Sequence, residues 1–334
     1  MEVVTSGIIQ FVSHEEAIIS RGRHLFVSND GGKRWKKWIS IPIPFKKRVL
    51  AWSTWLSRLT RTEIHHLLRI NEHQFFCIAF NRCFLIEQNG KTKDVGDIIG
   101  SRPLCVTTHQ DMVYYGEYTS NKNRDPIRLF LFNSKTHEWT VMHTFKGIRH
   151  IHGVHFDPIE KTLWVTVGDD DNEAAVLRWN ESVGTFEKIV FGSQQARTID
   201  LIFLKDSIFF ATDAPDEKNY IYKLNRKTHQ AENCSAVGGP VFYTSHVDNH
   251  IFLSTVVEPS IVNRQDAVEL WHSPDEGHTW QIIQEFKKDF GGKRYFQYGQ
   301  IKFPHGPGDG ENLWFTPYAT SLSHKVVKLH TSNL

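Results

Sequence analysis

The sequence lacks the features that mark several common protein classes. Its four cysteines form no C-x-x-C pair, which argues against a zinc ribbon or a redox motif. No apolar run approaches the roughly 20 residues of a membrane helix. The N-terminus has no basic segment followed by an apolar one, so we expect a cytoplasmic, reduced protein. Lysines plus arginines (39) nearly balance aspartates plus glutamates (37), which argues against nucleic acid as a partner.

Helical periodicity is also nearly absent, and short strand-like runs recur instead between turns rich in Gly, Asn, Asp and Pro. Four such strands form a unit of about 48 residues, a period typical of a β-propeller. We therefore predict an all-β fold, a single propeller over residues 1–334 with seven four-stranded blades; six or eight blades are the alternatives. The last unit shows three clear strands, so we expect a terminal strand to complete it. The blades are predicted to begin near Val3, His65, Pro103, Ile151, Thr198, Pro240 and Phe296.

Two predicted turns between the third and fourth strands of a blade carry one pattern. They are Ser28-Asn29-Asp30-Gly31-Gly32-Lys33-Arg34-Trp35 and Ser273-Pro274-Asp275-Glu276-Gly277-His278-Thr279-Trp280. Both resemble the Asp-box, S-x-D-x-G-x-T-W, although the first has arginine in place of threonine. The chain thus resembles the sialidase-like superfamily of β-propellers with bacterial neuraminidase repeats. The resemblance implies a structural role, away from the active face, for Ser28, Asp30, Gly32, Trp35, Ser273, Asp275, Gly277 and Trp280.

The mouth of a propeller lies where the first strand of each blade begins and the second strand ends. Basic residues lie where first strands begin: Arg102, Arg149, Arg197 and Arg294. Acidic residues lie where second strands end: Glu117, Asp169, Asp213 and Glu258. His150 and His152 begin one first strand, where their spacing places them on one face. Tyr298 begins another. Because arginine binds carboxylates through paired hydrogen bonds, this pattern predicts an acidic poly- or oligosaccharide as the partner.

The leading interpretation is a glycoside hydrolase-like enzyme in which paired carboxylates act as acid and as base or nucleophile. Its catalytic candidates are His150, His152, Asp169 and Tyr298, with the remaining mouth residues binding substrate. One alternative is a non-catalytic propeller that binds a glycan or a protein. Another is a polyuronate lyase, in which His and Tyr move the α-proton while Arg neutralises the carboxylate. Solvated loop charges would give the same pattern.

The resemblance to sialidases is incomplete in the chemistry-bearing residues. We find no early Arg-x-Pro motif of the family's kind, and the sequence assigns no Tyr–Glu pair. No cofactor is predicted. A divalent metal is a lesser alternative, because His150 and His152 would lie near the acidic segment 169–173 and such ligand sets bind metals.

An inserted basic segment separates the first two predicted blades, at about residues 44–63. Trp52, Trp55, Leu56 and Leu59 recur there at helical spacing, among several lysines and arginines. The segment is predicted to be amphipathic, and it could contact a membrane surface, cover the mouth or cap the blade edges.

Overall fold

The computed structural model describes residues 1–43, 63–289 and 297–334. Within these ranges the chain forms seven four-stranded antiparallel sheets, and successive sheets contact each other around a ring. The protein is therefore a seven-bladed β-propeller, as predicted. The described helices are two short 3-10 turns, Gln194–Ala196 and Thr331–Asn333. In the described ranges, no helix has the length and apolar character needed to cross a membrane.

The first three blades are built from consecutive strands. Blade one consists of β2 (Ile8–Val12), β3 (Ala17–Arg21), β4 (His24–Ser28) and β5 (Lys36–Ser40). Blade two consists of β6 (Ile64–Asn71), β7 (Gln74–Ala79), β8 (Arg82–Glu87) and β9 (Thr92–Asp97). Blade three consists of β10 (Val106–His109), β11 (Met112–Gly116), β12 (Ile127–Asn133) and β13 (Glu138–Phe145).

The next three blades follow the same order. Blade four consists of β14 (Ile151–Asp157), β15 (Thr162–Val167), β16 (Ala175–Asn180) and β17 (Thr185–Phe191). Blade five consists of β18 (Thr198–Phe203), β19 (Ser207–Thr212), β20 (Asn219–Asn225) and β21 (Ala231–Val237). Blade six consists of β22 (Val241–Val247), β23 (His250–Thr255), β24 (Ala267–Ser273) and β25 (Gln281–Lys287).

Blade seven joins the two ends of the chain, which corrects one predicted blade boundary. Its strands are β26 (Gln300–Lys302), β27 (Asn312–Tyr318), β28 (Lys325–His330) and β1 (Glu2–Ser6). Strand β1 pairs with β28, with Val3 opposite Val327. Val3 therefore lies in the outer strand of the last blade, and blade one begins at Ile8. The predicted closure by a terminal strand is confirmed: β1, from the start of the chain, completes the blade that the last three strands form.

The blades are held together by apolar side chains between adjacent sheets. Second strands such as β7 and β19 are buried over most of their length because they lie between two sheets, which explains their nearly continuous apolar sequences. Between blades one and two, the rings of Phe11 and Phe75 pack edge to face with centroids 5.2 Å apart. Burying each such side chain contributes about 1.5–3 kcal/mol.

The two turns with the Ser-x-Asp pattern have the same hydrogen bonds. In the second turn, Ser273 Oγ donates to Asp275 Oδ1 (2.9 Å), and the backbone N–H of Thr279 donates to the same oxygen (2.8 Å). Trp280 Nε1 donates to the carbonyl of Gly277 (3.1 Å). Gly277 has a φ of +87°, and a Cβ there would lie 2.2 Å from the ring of Phe209 in blade five. The turn therefore holds Trp280 against the neighbouring blade.

The first turn repeats this network with one substitution. Asp30 accepts from the Ser28 hydroxyl and from the backbone N–H of Arg34, and Trp35 Nε1 donates to the carbonyl of Gly32. Where the second turn has the Thr279 hydroxyl on Asp275, the first has the Arg34 guanidinium on Asp30, 2.7 Å away. The arginine thus supplies the hydrogen bond that threonine supplies elsewhere.

We predict that Asp275→Ala lowers the free energy of unfolding by about 1–3 kcal/mol, because the Ser273 and Thr279 donors lose a charged acceptor. Denaturant unfolding of purified protein measures this difference. Glu285→Ala, in the exposed part of β25, is the matched control and should change stability by less than about 0.5 kcal/mol. Equal effects of the two substitutions would contradict a structural role for the turn.

Candidate functional site

A cavity of about 770 Å³ follows the axis of the ring. It is axial because the first strand of every blade contributes to its wall: Gln10, His66, Thr107, His155, Asp200, Thr244 and Lys302. Several predicted mouth residues also line it: Arg102, Arg197, Asp213, Glu258 and Tyr298. Each of these precedes a first strand or follows a second strand, so they lie at one end of the cavity. The structure thus brings together five predicted site residues from four blades.

The other predicted site residues lie elsewhere. His150, His152 and Asp169 form a buried cluster outside the cavity wall, and Arg149 lies beside Asp169 at a separate cleft. Glu117 is paired with Arg128, through Nε–Oε2 and Nη2–Oε1 distances of 3.0 and 2.9 Å. Arg294 and residues 44–62 of the predicted amphipathic segment at about 44–63 lie outside the described residues, so membrane contact through that segment stays a prediction.

Tyr298 and Glu258 form a hydrogen-bonded pair at the cavity wall. The Tyr298 hydroxyl donates to Glu258 Oε1 over 3.0 Å. Burial and the neighbouring Glu258 charge raise the pKa of Tyr298 well above its usual value. The phenol therefore carries its proton at neutral pH and shares it with a carboxylate that can accept it. The two residues come from blades six and seven, 40 positions apart, which is why no local sequence pattern indicated the pair.

Asp213 is a buried carboxyl group, and its surroundings only partly stabilise its ionised form. Burial raises its pKa from 3.8 to about 7; the charge of Arg197 opposes this shift, and the charge of Glu258 adds to it. Arg197 Nε lies 3.4 Å from Asp213 Oδ2 without hydrogen-bond geometry. Within the described part of the chain, Asp213 Oδ1 has no hydrogen-bond partner. Near neutral pH this carboxyl group can therefore hold a proton and give it up, as a general acid must.

An ion pair between Lys302 and Glu63 also lies in the cavity wall. Lys302 Nζ lies 2.9 Å from Glu63 Oε1 and 4.5 Å from the centre of the Tyr318 ring. Burial alone would raise the pKa of Glu63, but the charges of Lys302 and Arg102 hold it below its usual value. Glu63 is therefore ionised, with two cations around it. The sequence analysis did not single out Lys302. A lysine within an inner strand of the ring is the signal that could have indicated it.

Tyr118 also lines the cavity and was missed by the sequence analysis. It follows Glu117 directly, and neighbouring residues of an extended segment point to opposite sides. Glu117, the predicted residue, turns to Arg128 instead. Burial raises the pKa of Tyr118 to about 12, and its ring packs on His150 with centroids 4.2 Å apart. Tyr118 thus separates the histidine cluster from the axial cavity.

In the histidine cluster, two imidazoles and one carboxylate converge. His152 Nε2 lies 2.9 Å from His150 Nε2 and 3.0 Å from Asp169 Oδ1, and His150 Nε2 lies 3.2 Å from the same oxygen. Burial lowers the pKa of His152 to about 4. Burial opposes ionisation of Asp169, but the positive charge of Arg197 favours it, and the pKa of Asp169 lies below its usual value.

The loop that carries Asp169 is held by its own acidic residue. Glu173 Oε1 accepts from the backbone N–H groups of Asp169 and Asp170, both over 3.1 Å, and Glu173 is paired with Arg124. Gly168 starts the loop with a φ of +80°, and a Cβ there would lie 2.4 Å from the backbone of Glu173. The predicted acidic segment therefore fixes the position of Asp169.

Comparisons with known proteins add the fold and little else. No protein-family model and no curated protein matches the chain. Solved structures that it resembles include an oligogalacturonate lyase from Vibrio parahaemolyticus (10% identity, 94% of this chain and 89% of that chain, TM-score 0.63). Others are a GH74 enzyme from Niastella koreensis (14%, 84% and 46%, 0.54) and the extracellular domain of a hybrid two-component system from B. thetaiotaomicron (12%, 97% and 38%, 0.61). The chain spans less than half the length of the last two. At this identity the similarity shows a shared β-propeller fold alone.

We predict that Asp213 makes the protein less stable as pH rises from about 4 to about 7, by up to about 4 kcal/mol. The sign follows from its raised pKa: above about pH 4 the unfolded chain loses this proton while the native state keeps it. Urea unfolding across this pH range should show a smaller decline for Asp213→Asn than for the wild type. The exposed Asp216→Asn control should decline like the wild type; identical declines in all three proteins would contradict the raised pKa.

Proposed function

We propose that the protein is a glycoside hydrolase that acts on an acidic glycan in the axial cavity. The observation that carries the proposal is the hydrogen-bonded pair of Tyr298 and Glu258, at the same end of the cavity as Asp213. A phenol beside a carboxylate base can serve as a nucleophile, and a carboxyl group with a pKa near 7 can serve as a general acid. These are the two roles that cleavage of a glycosidic bond requires.

The charges of the cavity favour an acidic sugar. Arg102, Arg197 and Lys302 come from three blades and line the same cavity. A substrate carboxylate placed among them gains charge-assisted hydrogen bonds, and arginine can form two in parallel. Burial of Arg197 strengthens such contacts, because water screens them less.

The proposed reaction begins with Tyr298. Its oxygen attacks the anomeric carbon while its proton passes to Glu258, and the glycosidic C–O bond breaks as Asp213 protonates the leaving oxygen. A water then attacks the same carbon and gives a proton to the Asp213 carboxylate. The bond to Tyr298 breaks, and the phenol recovers its proton from Glu258. Two displacements at one carbon retain its configuration.

This mechanism moves the catalytic roles away from three residues that the sequence analysis favoured, His150, His152 and Asp169. Both Nε2 atoms of His150 and His152 face Asp169, behind Tyr118, so neither is placed to reach a sugar in the axial cavity. That arrangement removes His150 and His152 as bases for the lyase alternative, although other histidines, among them His66 and His155, line the cavity. Tyr298, by contrast, keeps the catalytic role that was predicted for it.

Membership of the sialidase-like superfamily is part of the same proposal. Its support is the pair of turns with matching hydrogen bonds at Asp30 and Asp275, and a Tyr–Glu pair with an arginine and a proton-bearing aspartate nearby. A tyrosine nucleophile is the exception among glycosidases that sialidases represent. An anionic substrate gives a reason for it, since a neutral phenol approaches a carboxylate-bearing sugar without charge repulsion.

We predict reducing-end release from acidic oligosaccharides, with kcat/KM lowered about 10²–10⁴-fold in Tyr298→Phe and Asp213→Asn. Chromatography of digests of sialylated, uronic-acid and neutral glycans measures the release. Asp216→Asn, an exposed neighbour of Asp213, should keep wild-type kinetics. Wild-type kcat/KM should fall above about pH 7, as Asp213 loses its proton.

Three results would contradict the proposal. An unsaturated, ultraviolet-absorbing product would indicate a lyase. Binding of an acidic glycan without any release would indicate a non-catalytic propeller. Release that Tyr298→Phe leaves unchanged would remove the proposed nucleophile.

A further inference from the structure

The histidine cluster of His150, His152 and Asp169 has no role in the proposed hydrolysis, yet it is one of the most constrained places in the molecule. All three side chains are at least nine-tenths buried. They lie in blade four, at the start of the first strand and just after the second. Polar groups so deeply buried need partners, because a buried polar group without one destabilises the folded protein.

The backbone fixes the protonation of both imidazoles. His150 Nδ1 lies 2.8 Å from the carbonyl oxygen of Thr119, and His152 Nδ1 lies 3.2 Å from that of Thr198. A carbonyl oxygen only accepts hydrogen bonds, so each Nδ1 carries the proton. In a neutral imidazole the other nitrogen then presents a lone pair.

Three electron-pair donors therefore point at one another. The Nε2 atoms of the two histidines and Asp169 Oδ1 lie 2.9, 3.0 and 3.2 Å apart. Donor atoms about 2.1 Å from a metal ion are about 3.0 Å apart in octahedral sites and about 3.4 Å apart in tetrahedral ones. The observed separations fit three ligands on one face of an octahedral cation. Metal-binding histidines usually donate the N–H of the other ring nitrogen to a carboxylate or a backbone carbonyl, as these two do.

We propose that His150, His152 and Asp169 bind a divalent transition-metal ion through the two Nε2 atoms and Oδ1. The outer oxygen of the carboxylate, Asp169 Oδ2, lies 2.9 Å from Arg149 Nη1. Arg149 thus orients the proposed ligand from the side that faces away from the ion. Thr119 lies in the loop between the second and third strands of blade three, and Thr198 begins the first strand of blade five, so the ion would stabilise the contact of three blades.

A second group of potential metal ligands consists of Cys105, His155 and Asp200. In this group the carboxylate already accepts hydrogen bonds from protein donors. Asp200 accepts from the backbone N–H groups of Leu201 and Thr244 and from the Thr244 hydroxyl. Its contact with His155 Nδ1 is 3.6 Å, and burial raises the pKa of the Cys105 thiol well above its usual value. Protein donors satisfy this carboxylate, so the group needs no cation.

The test is metal binding by the full chain. Apo protein, prepared by dialysis against a chelator, is titrated with Zn²⁺ by calorimetry. We expect about one equivalent to bind and a rise in melting temperature on binding. His152→Gln and Asp169→Asn should weaken binding by about 100-fold. The control is His272→Asn: His272 is buried and lies 2.8 Å from His250 in blade six, so this variant should bind like the wild type.

A measurement on the wild type alone keeps the test decisive if the variants fail to fold. X-ray absorption at the zinc edge should show two imidazoles and oxygen ligands. A sulfur ligand would overturn the proposal, because it would place the ion at Cys105. Absence of stoichiometric binding, or equal affinity in His152→Gln, Asp169→Asn and the wild type, would also overturn it. The activity of Tyr298→Phe is independent of these results, so the hydrolase proposal can fail while this one stands.

Discussion

One largely buried guanidinium, that of Arg197, links the two polar centres of this propeller. It lies within 3.5 Å of carboxylate oxygens of both Asp169 and Asp213, and its charge also acts on Glu258. Asp169, which also pairs with Arg149, stays ionised. At Asp213 the effect of burial outweighs the charge of Arg197, so this carboxyl group keeps a proton near neutral pH. The two carboxyl groups therefore differ in protonation although both lie beside Arg197.

The fold explains how this constraint arises. Each blade sends the start of its first strand and the end of its second to the same end of the axial cavity. Residues distant in sequence, such as Tyr298 and Glu258, meet there without any local motif. Tyr118 lies between the open, charged cavity and the buried cluster of histidines. We assign sugar chemistry to the first and metal binding to the second.

The fold was predictable from the sequence because blades repeat, and repetition survives in strand spacing and in the turns at Asp30 and Asp275. Which residues precede first strands and follow second strands was predictable for the same reason. The direction of each side chain was not predictable. Glu117 and Tyr118 are adjacent, but only Tyr118 lines the cavity. The sequence also did not indicate which blade contains Val3, because ring closure pairs the two ends of the chain.

The protonation of Asp213 is the central claim, since both the general acid and the difference in protonation from Asp169 depend on it. Infrared difference spectroscopy detects the C=O stretch of a protonated carboxyl group directly. We predict such a band in the wild type at mildly acidic pH, a midpoint near pH 7 for its loss, and its absence from Asp213→Asn. A spectrum in which Asp213→Asn removes no protonated-carboxyl band at any pH above about 5, well above the usual aspartate pKa, would contradict the account.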